Sequence, residues 1–290
     1  SACAQTWPHR EIILVDDGST DRSLAIARRY ESSGVKVIAG AHRGSSAARN
    51  SALAAATGDF VQYLDADDLL APDKLALQVI HAIELQQDFA FCGTWTRFTR
   101  SPSDADFAPQ PLSADLSPVD WLVLKLNENR MMHPASWLIP RSLINAAGPW
   151  NETLSLDDDG EYFTRVVLAS NGVRCCPDAV SYYRSAVRGS LSDTKSEEAW
   201  VSAWHARQHS IAHLLAAEDS PRTRLAAATA LQRLIYESYP HAAGFRARAA
   251  QQIRELGGSA VSPEGGPIFQ LARRLLGWRL AKRLQSRRAT

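Results

Sequence analysis

The chain has 290 residues, 45% of them apolar and 22% charged, an ordinary globular composition that excludes a disordered, collagen-like or disulfide-framework protein. Its net charge of +1 conceals a split: residues 1–194 hold 17 basic and 24 acidic side chains, a balance of −7, and residues 195–290 hold 15 and 7, a balance of +8. Halves of opposite sign point to two parts with different jobs.

In chain order, residues 11–15 (EIILV) form a short β-branched run ending in acids and glycine. A helix is expected from about Asp21 to Ser33, a strand over 35–40 and an Ala-rich helix over 45–57. A third strand is expected over 59–64, a helix over 72–85 with Pro72 in its first turn, and a fourth strand over 90–99. Strands alternating with helices imply an α/β fold with a mostly parallel sheet. Residues 101–118 carry four prolines and read as a loop. Beyond it, 136–140 and 179–184 read as strands and 160–170 as a helix, and from Lys195 three or four Ala/Leu/Arg-rich helices follow. The expected division is therefore an α/β domain over 1–194 and a helical extension over 195–290.

Three acidic clusters carry the chemistry. Asp16 and Asp17 close the first strand before Gly18 and Ser19; Asp65, Asp67 and Asp68 follow the third; Asp157, Asp158, Asp159 and Glu161 open a later helix. Each alone reads equally as a capped turn, an acidic loop or a helix start favoured by the dipole. Together, acids at strand ends fit a nucleotide and metal site, because carboxylates at i and i+2 suit a hard cation that also binds phosphate. Arg49, on the helix that opens RGSSAARN, could approach a diphosphate or stay solvated. The four cysteines show no C-x-x-C spacing and read as reduced thiols of a cytosolic protein.

The segments AQTWPHREIILVDDGSTD, HRGSSAARNSALAAATGDFVQYLDADDLLAPDKL and GPWNETLSLDDDGEYFTRV resemble a family 2 glycosyltransferase of the GT-A fold. The first two cover residues 4–75 almost continuously, the third is looser, and 195–290 is not covered. The resemblance implies an inverting, metal-dependent enzyme that moves a sugar from a nucleotide-diphosphate sugar to a glycan or lipid-linked acceptor in cell-surface polysaccharide synthesis. Asp17, with Asp16 beside it, would contact the base and Arg49 the diphosphate. The D-x-D motif falls on Asp65-Ala66-Asp67, with Asp65 facing the ribose and Asp67, with Asp65, holding Mn²⁺ or Mg²⁺. The family's acidic pair, usually E-D, falls on Asp158-Asp159, with Asp159 the expected base. The same resemblance expects a strand and P-x-[YF]-N segment ahead of A-Q-T, so the chain reads as N-terminally truncated, its first strand missing. A catalytically inactive binding module of the same fold is the alternative reading.

A dehydrogenase is disfavoured because no G-x-G-x-x-G follows a strand. No apolar run reaches the roughly 18–20 residues of a membrane span, and no signal-peptide pattern is present, so the expected location is cytoplasmic. Residues 265–290 hold seven Lys/Arg and no acid, with Ile268, Leu271, Leu275 and Trp278 expected along one stripe. This tail reads either as a helix packed on the enzyme or as a peripheral contact with the inner face of a membrane. Nucleic acid is not an expected partner. His133 and Trp137 are candidates for an acceptor site or for core.

Overall fold

The computed structural model describes residues 1–85, 88–105, 107–108, 110–185 and 196–286. The expected domain boundary at 194/195 and the last residues of the basic tail lie outside them.

The first part alternates strands and helices as expected: β1 (Ile12–Asp16), α1 (Ser23–Arg28), β2 (Val35–Ala39), α2 (Ser45–Ala55), β3 (Phe60–Val61), β4 (Leu69–Leu70), α3 (Lys74–Glu84) and β5 (Ala90–Phe98). The first helix stops earlier than its pattern suggests, because residues 31–33 tighten into a 3₁₀ turn closed by Gly34. The third strand shrinks to two residues before the chain turns at Asp65–Asp68. Then come α4 (Pro118–Glu128), β6 (Trp137–Pro140), α5 (Arg141–Ala147), α6 (Asp158–Ala169) and β7 (Val173–Arg184). Helix α4 has clear start signals, Ser117 accepting from the Asp120 N–H and Pro118 in its first turn.

Strands β1 and β2 pair in parallel over five residues. The larger sheet runs β3-β6-β5-β7-β4, and among the described residues no ladder joins it to the β1–β2 pair. It is mixed: β5 and β7 run parallel over nine residue pairs, whereas the three antiparallel ladders span two pairs each. The long ladders are thus the parallel ones. The antiparallel edges escape a periodicity reading because two-residue strands have no period to show.

The helical part holds five helices among the described residues rather than three or four: α7 (Glu197–Ala217), α8 (Pro221–Ser238), α9 (Ala243–Glu255), α10 (Pro267–Leu276) and α11 (Trp278–Ser286). Gly277, at φ 77°, breaks the tail in two. Trp121, Trp137, Trp150, Tyr162 and Phe163 dominate the main core, which α7 and α8 complete with Leu214, Ala226 and Ala230. A second core, around Trp204, Leu231 and Phe245, joins α7, α8 and α9. The extension is therefore packed onto the α/β part through shared core residues.

Candidate active site

Arg49 sits at the centre of the site. It projects from α2, half-buried, with one nitrogen 2.7 Å from Asp65 Oδ1 and another 3.0 Å from Asp158 Oδ2. Its guanidinium lies 4.4 Å over the Trp150 ring, which stacks on Tyr162 at 4.0 Å. Burial works against the Arg49 charge, but Asp65 and Asp158 outweigh it. One residue thus joins the turn after β3 to the start of α6, and brings together two clusters that are about 90 residues apart in the chain.

The loop before α6 is fixed to α2 from both sides. Asn50 donates to the Trp150 carbonyl at 2.9 Å and accepts from the Trp150 N–H at 2.8 Å. Ser45 and Ser46 hydroxyls each reach Asp158 Oδ2 at 2.9 Å. Asp158 is therefore held by three donors from α2. Asp159 accepts only the Gly160 N–H, at 2.8 Å, among the described residues. Desolvation first, then the charges of Asp158 and Asp157, push the Asp159 carboxyl up to about 7, against the pull of Lys125 and Arg49.

Lys125 from α4 donates to the Gly160 carbonyl at 3.3 Å, and Arg207 from α7 pairs with Asp157 at 3.1 Å. Gly160 is required here: a Cβ would stand 2.1 Å from Asp157 Oδ1 and 3.1 Å from Lys125 Nζ. Glu161, by contrast, is buried and engaged by Arg165 at 2.7 Å, a bond within the helix rather than part of the site.

Asp16 is buried and accepts from the Ser19 N–H at 3.2 Å, which shapes the turn after β1. Asp17 accepts from the Arg43 and Gly44 N–H groups at 2.9 and 2.7 Å, with His42 at 3.1 Å. Desolvation works against its charge, yet these donors outweigh it and hold its carboxyl below the usual range. Asp17 thus ties the β1 turn to the loop that leads into Arg49.

Asp68 points away from the cleft. It is buried, and its Oδ2 lies 2.8 Å from His133 Nδ1 while Oδ1 accepts from the Arg184 N–H at 2.9 Å. Because the carboxylate accepts from Nδ1–H, His133 Nε2 is left to accept from the Ser181 hydroxyl at 3.0 Å. This Ser–His–Asp chain is sealed: Ser181 is 0% exposed, so no substrate reaches it. His133 and Trp137 are both core residues.

Asp67 is left at the surface. Desolvation and the charges of Asp68 and Asp65 hold its carboxyl above the usual range, opposed by Arg184. Among the described residues no three His, Cys, Asp or Glu side chains gather as a closed metal site. Two carboxylates at i and i+2 are nonetheless the donor set of a hard cation that takes its remaining ligands from phosphate oxygens and water, and in that sense Asp65 and Asp67 fit one. Sequence reasoning missed Ser45, Ser46, Lys125, Trp150 and Arg207, whose types carry no signature of their own. The G-P-W-N-E string was the one available hint.

Residues 1–132 match the family model described as glycosyl transferase family 2. The glycosyltransferase YibD of Escherichia coli K12 is 33% identical over 138 residues, which is 46% of this chain and 40% of that protein. The E. coli glucosyltransferase WfaP, whose name gives a UDP-glucose donor and a GlcNAc-diphosphoundecaprenol acceptor, is 37% identical over 90 residues, 31% of this chain and 36% of that one. The chain thus spans about two fifths of the curated relatives it matches. Among solved structures, S. aureus TarS 1–349 in complex with UDP-GlcNAc superimposes with a TM-score of 0.68 at 16% identity, over 99% of this chain and 86% of that one. That likeness establishes the GT-A fold.

Proposed function

We propose that the chain, whose residues 1–132 match the family model described as glycosyl transferase family 2, moves a sugar from a nucleoside diphosphate sugar to an acceptor hydroxyl, with inversion. The observation that carries this reading is the double ion pair of Arg49, which gathers Asp65 and Asp158 around one cation. A donor diphosphate would lie against Arg49, and the loop pinned by Asp17 would receive the base. The uridine nucleotide bound by TarS and named for WfaP makes a uridine diphosphate sugar the first donor to try.

Asp65 and Asp67 would hold Mn²⁺ or Mg²⁺, which when bound supplies Lewis-acid stabilisation of the charge on the departing diphosphate. Arg49 adds fixed positive charge at the same place. The acceptor hydroxyl is a poor nucleophile, so a carboxylate must take its proton as the bond forms. Asp159 suits this role better than Asp158, whose Oδ2 already accepts from Ser45, Ser46 and Arg49. A carboxyl held near 7 also takes a proton more readily than an ordinary aspartate. A single base facing the leaving group accounts for inversion, and a diphosphate leaves without a general acid. The acceptor is proposed to be a cell-surface glycan or its lipid-linked precursor, handled on the cytoplasmic side.

The test is nucleoside diphosphate release from a panel of sugar donors, with wild type and Asp159→Asn compared. Turnover that falls at least about a hundredfold in the variant supports the reading. Donor binding without turnover in wild type would favour the inactive binding module.

A further inference from the structure

Helices α10 and α11 pack on the molecule with one face only. Phe269, Trp278 and Ala281 turn inward, Trp278 lying edge-on to Tyr236 and Tyr239 at 4.9 and 5.1 Å. The break at Gly277 rotates Trp278 off the stripe expected from sequence. The opposite face carries Ile268, Leu271 and Leu275, exposed by 73, 60 and 73%, then Leu276, Leu280 and Leu284, all at least 43% exposed. Nowhere else among the described residues do large aliphatic side chains stand so exposed in so short a stretch.

The same face is rimmed by positive charge. Arg274 and Arg279 are exposed, whereas the Arg283 guanidinium lies over Tyr239, and from Pro267 to Ser286 there is no acid. Lys282 lies toward the body, over Phe269. Exposed aliphatics flanked by arginine match one surface best: a bilayer with anionic headgroups, where the leucines enter the acyl boundary and the guanidinium groups meet phosphate. A nucleic acid would use the arginines and leave the leucines in water. A second copy of the chain would cover the leucines but bring like charges together. Helices of ten and nine residues are too short to cross a bilayer, and no described helix is long and apolar enough to do so.

We propose that α10 and α11 form an interfacial anchor that seats the protein on an anionic membrane. This stands on the exposed face alone and is independent of the sugar-transfer reading.

The experiment is co-sedimentation of the full chain with phosphatidylglycerol–phosphatidylcholine vesicles and with pure phosphatidylcholine vesicles, over a salt series. Wild type should pellet with the anionic vesicles, weaken as salt rises, and pellet far less with the neutral ones. Leu271→Glu/Leu275→Glu/Leu280→Glu and, separately, Arg274→Gln/Arg279→Gln should each lower the partition at least about tenfold, with unchanged circular dichroism and melting temperature. Binding by the leucine variant equal to wild type would overturn the proposal. So would absence of vesicle binding, whether a DNA duplex binds through the arginines instead or the leucine variant turns a dimer into a monomer in sedimentation equilibrium.

Discussion

At the scale of single residues, the site depends on how three carboxylates are partnered. Asp158 is saturated with donors, Asp68 is sealed against His133, and Asp159 is desolvated with one backbone donor. A carboxyl whose folded pKa stands near 7, above its unfolded value, stabilises the fold at low pH and loses that contribution as pH rises through 7. Asp159→Asn should therefore raise the melting temperature at pH 8 more than at pH 5, while abolishing turnover. Equal shifts at both pH values would contradict the assigned environment. The buried Asp68–His133 pair predicts a different outcome. His133→Phe leaves Asp68 Oδ2 buried without its donor and should cost about 1–3 kcal/mol in denaturant unfolding.

These residues also show what could be read from the sequence. Asp16, Asp17, Asp65, Asp67, Asp158 and Asp159 stand out in the sequence as acids at strand ends and a helix start, and their proposed roles come from the family resemblance. Arg49 was found as a basic residue on an Ala-rich helix, but its partners were not. Nothing in the text says that an arginine at 49 meets an aspartate at 158, since that contact depends on how α2 and α6 pack. Asp68 looked like a further site acid and proved to be core, because its direction is set by His133, 65 residues away.

At the scale of elements, the start of α6 is a crowded junction. Gly160 leaves room for Asp157, which Arg207 holds, and for Lys125 beside the Gly160 carbonyl. Gly160→Ala puts a methyl group where Asp157 Oδ1 stands. It should destabilise the protein by about 1–3 kcal/mol, an overpacking cost, and lower turnover by displacing the neighbouring Asp158 and Asp159. Thermal melting and initial rates measured on one preparation would check both. An alanine variant with wild-type rates would show that the α6 start is not tightly set. The helices over 45–57 and 72–85 were legible, as were the strands β2 and β5, whereas α4 was not read despite its Ser117 cap and Pro118. The strand expected over 59–64 shrinks to the two residues of β3, and β4 was not read at all, since sheet edges of that length are specified by their neighbours.

At the scale of the whole molecule, the charge split divides the labour less cleanly than the composition implied. The acidic part brings Asp65 and Asp158 to Arg49, and the basic part supplies both a surface and structural support. Leu214, Ala226 and Ala230 complete the main core, and Arg207 reaches Asp157. A fragment ending at residue 194 should consequently be aggregation-prone and without a cooperative melting transition, as judged by circular dichroism. A soluble, cooperatively folded and active fragment would show instead that the extension is dispensable.

The central claim is that a nucleoside diphosphate sugar binds between the β1 turn, Arg49 and the Asp65–Asp67 turn. Isothermal titration calorimetry with a panel of such sugars in Mn²⁺ tests it most directly, comparing wild type with Asp67→Asn, whose surface position leaves the fold intact. At least one sugar should bind wild type, and the variant should bind it at least about tenfold more weakly, the loss of one charge-assisted contact. No binding across the panel, or equal affinity in the two proteins, would contradict the account.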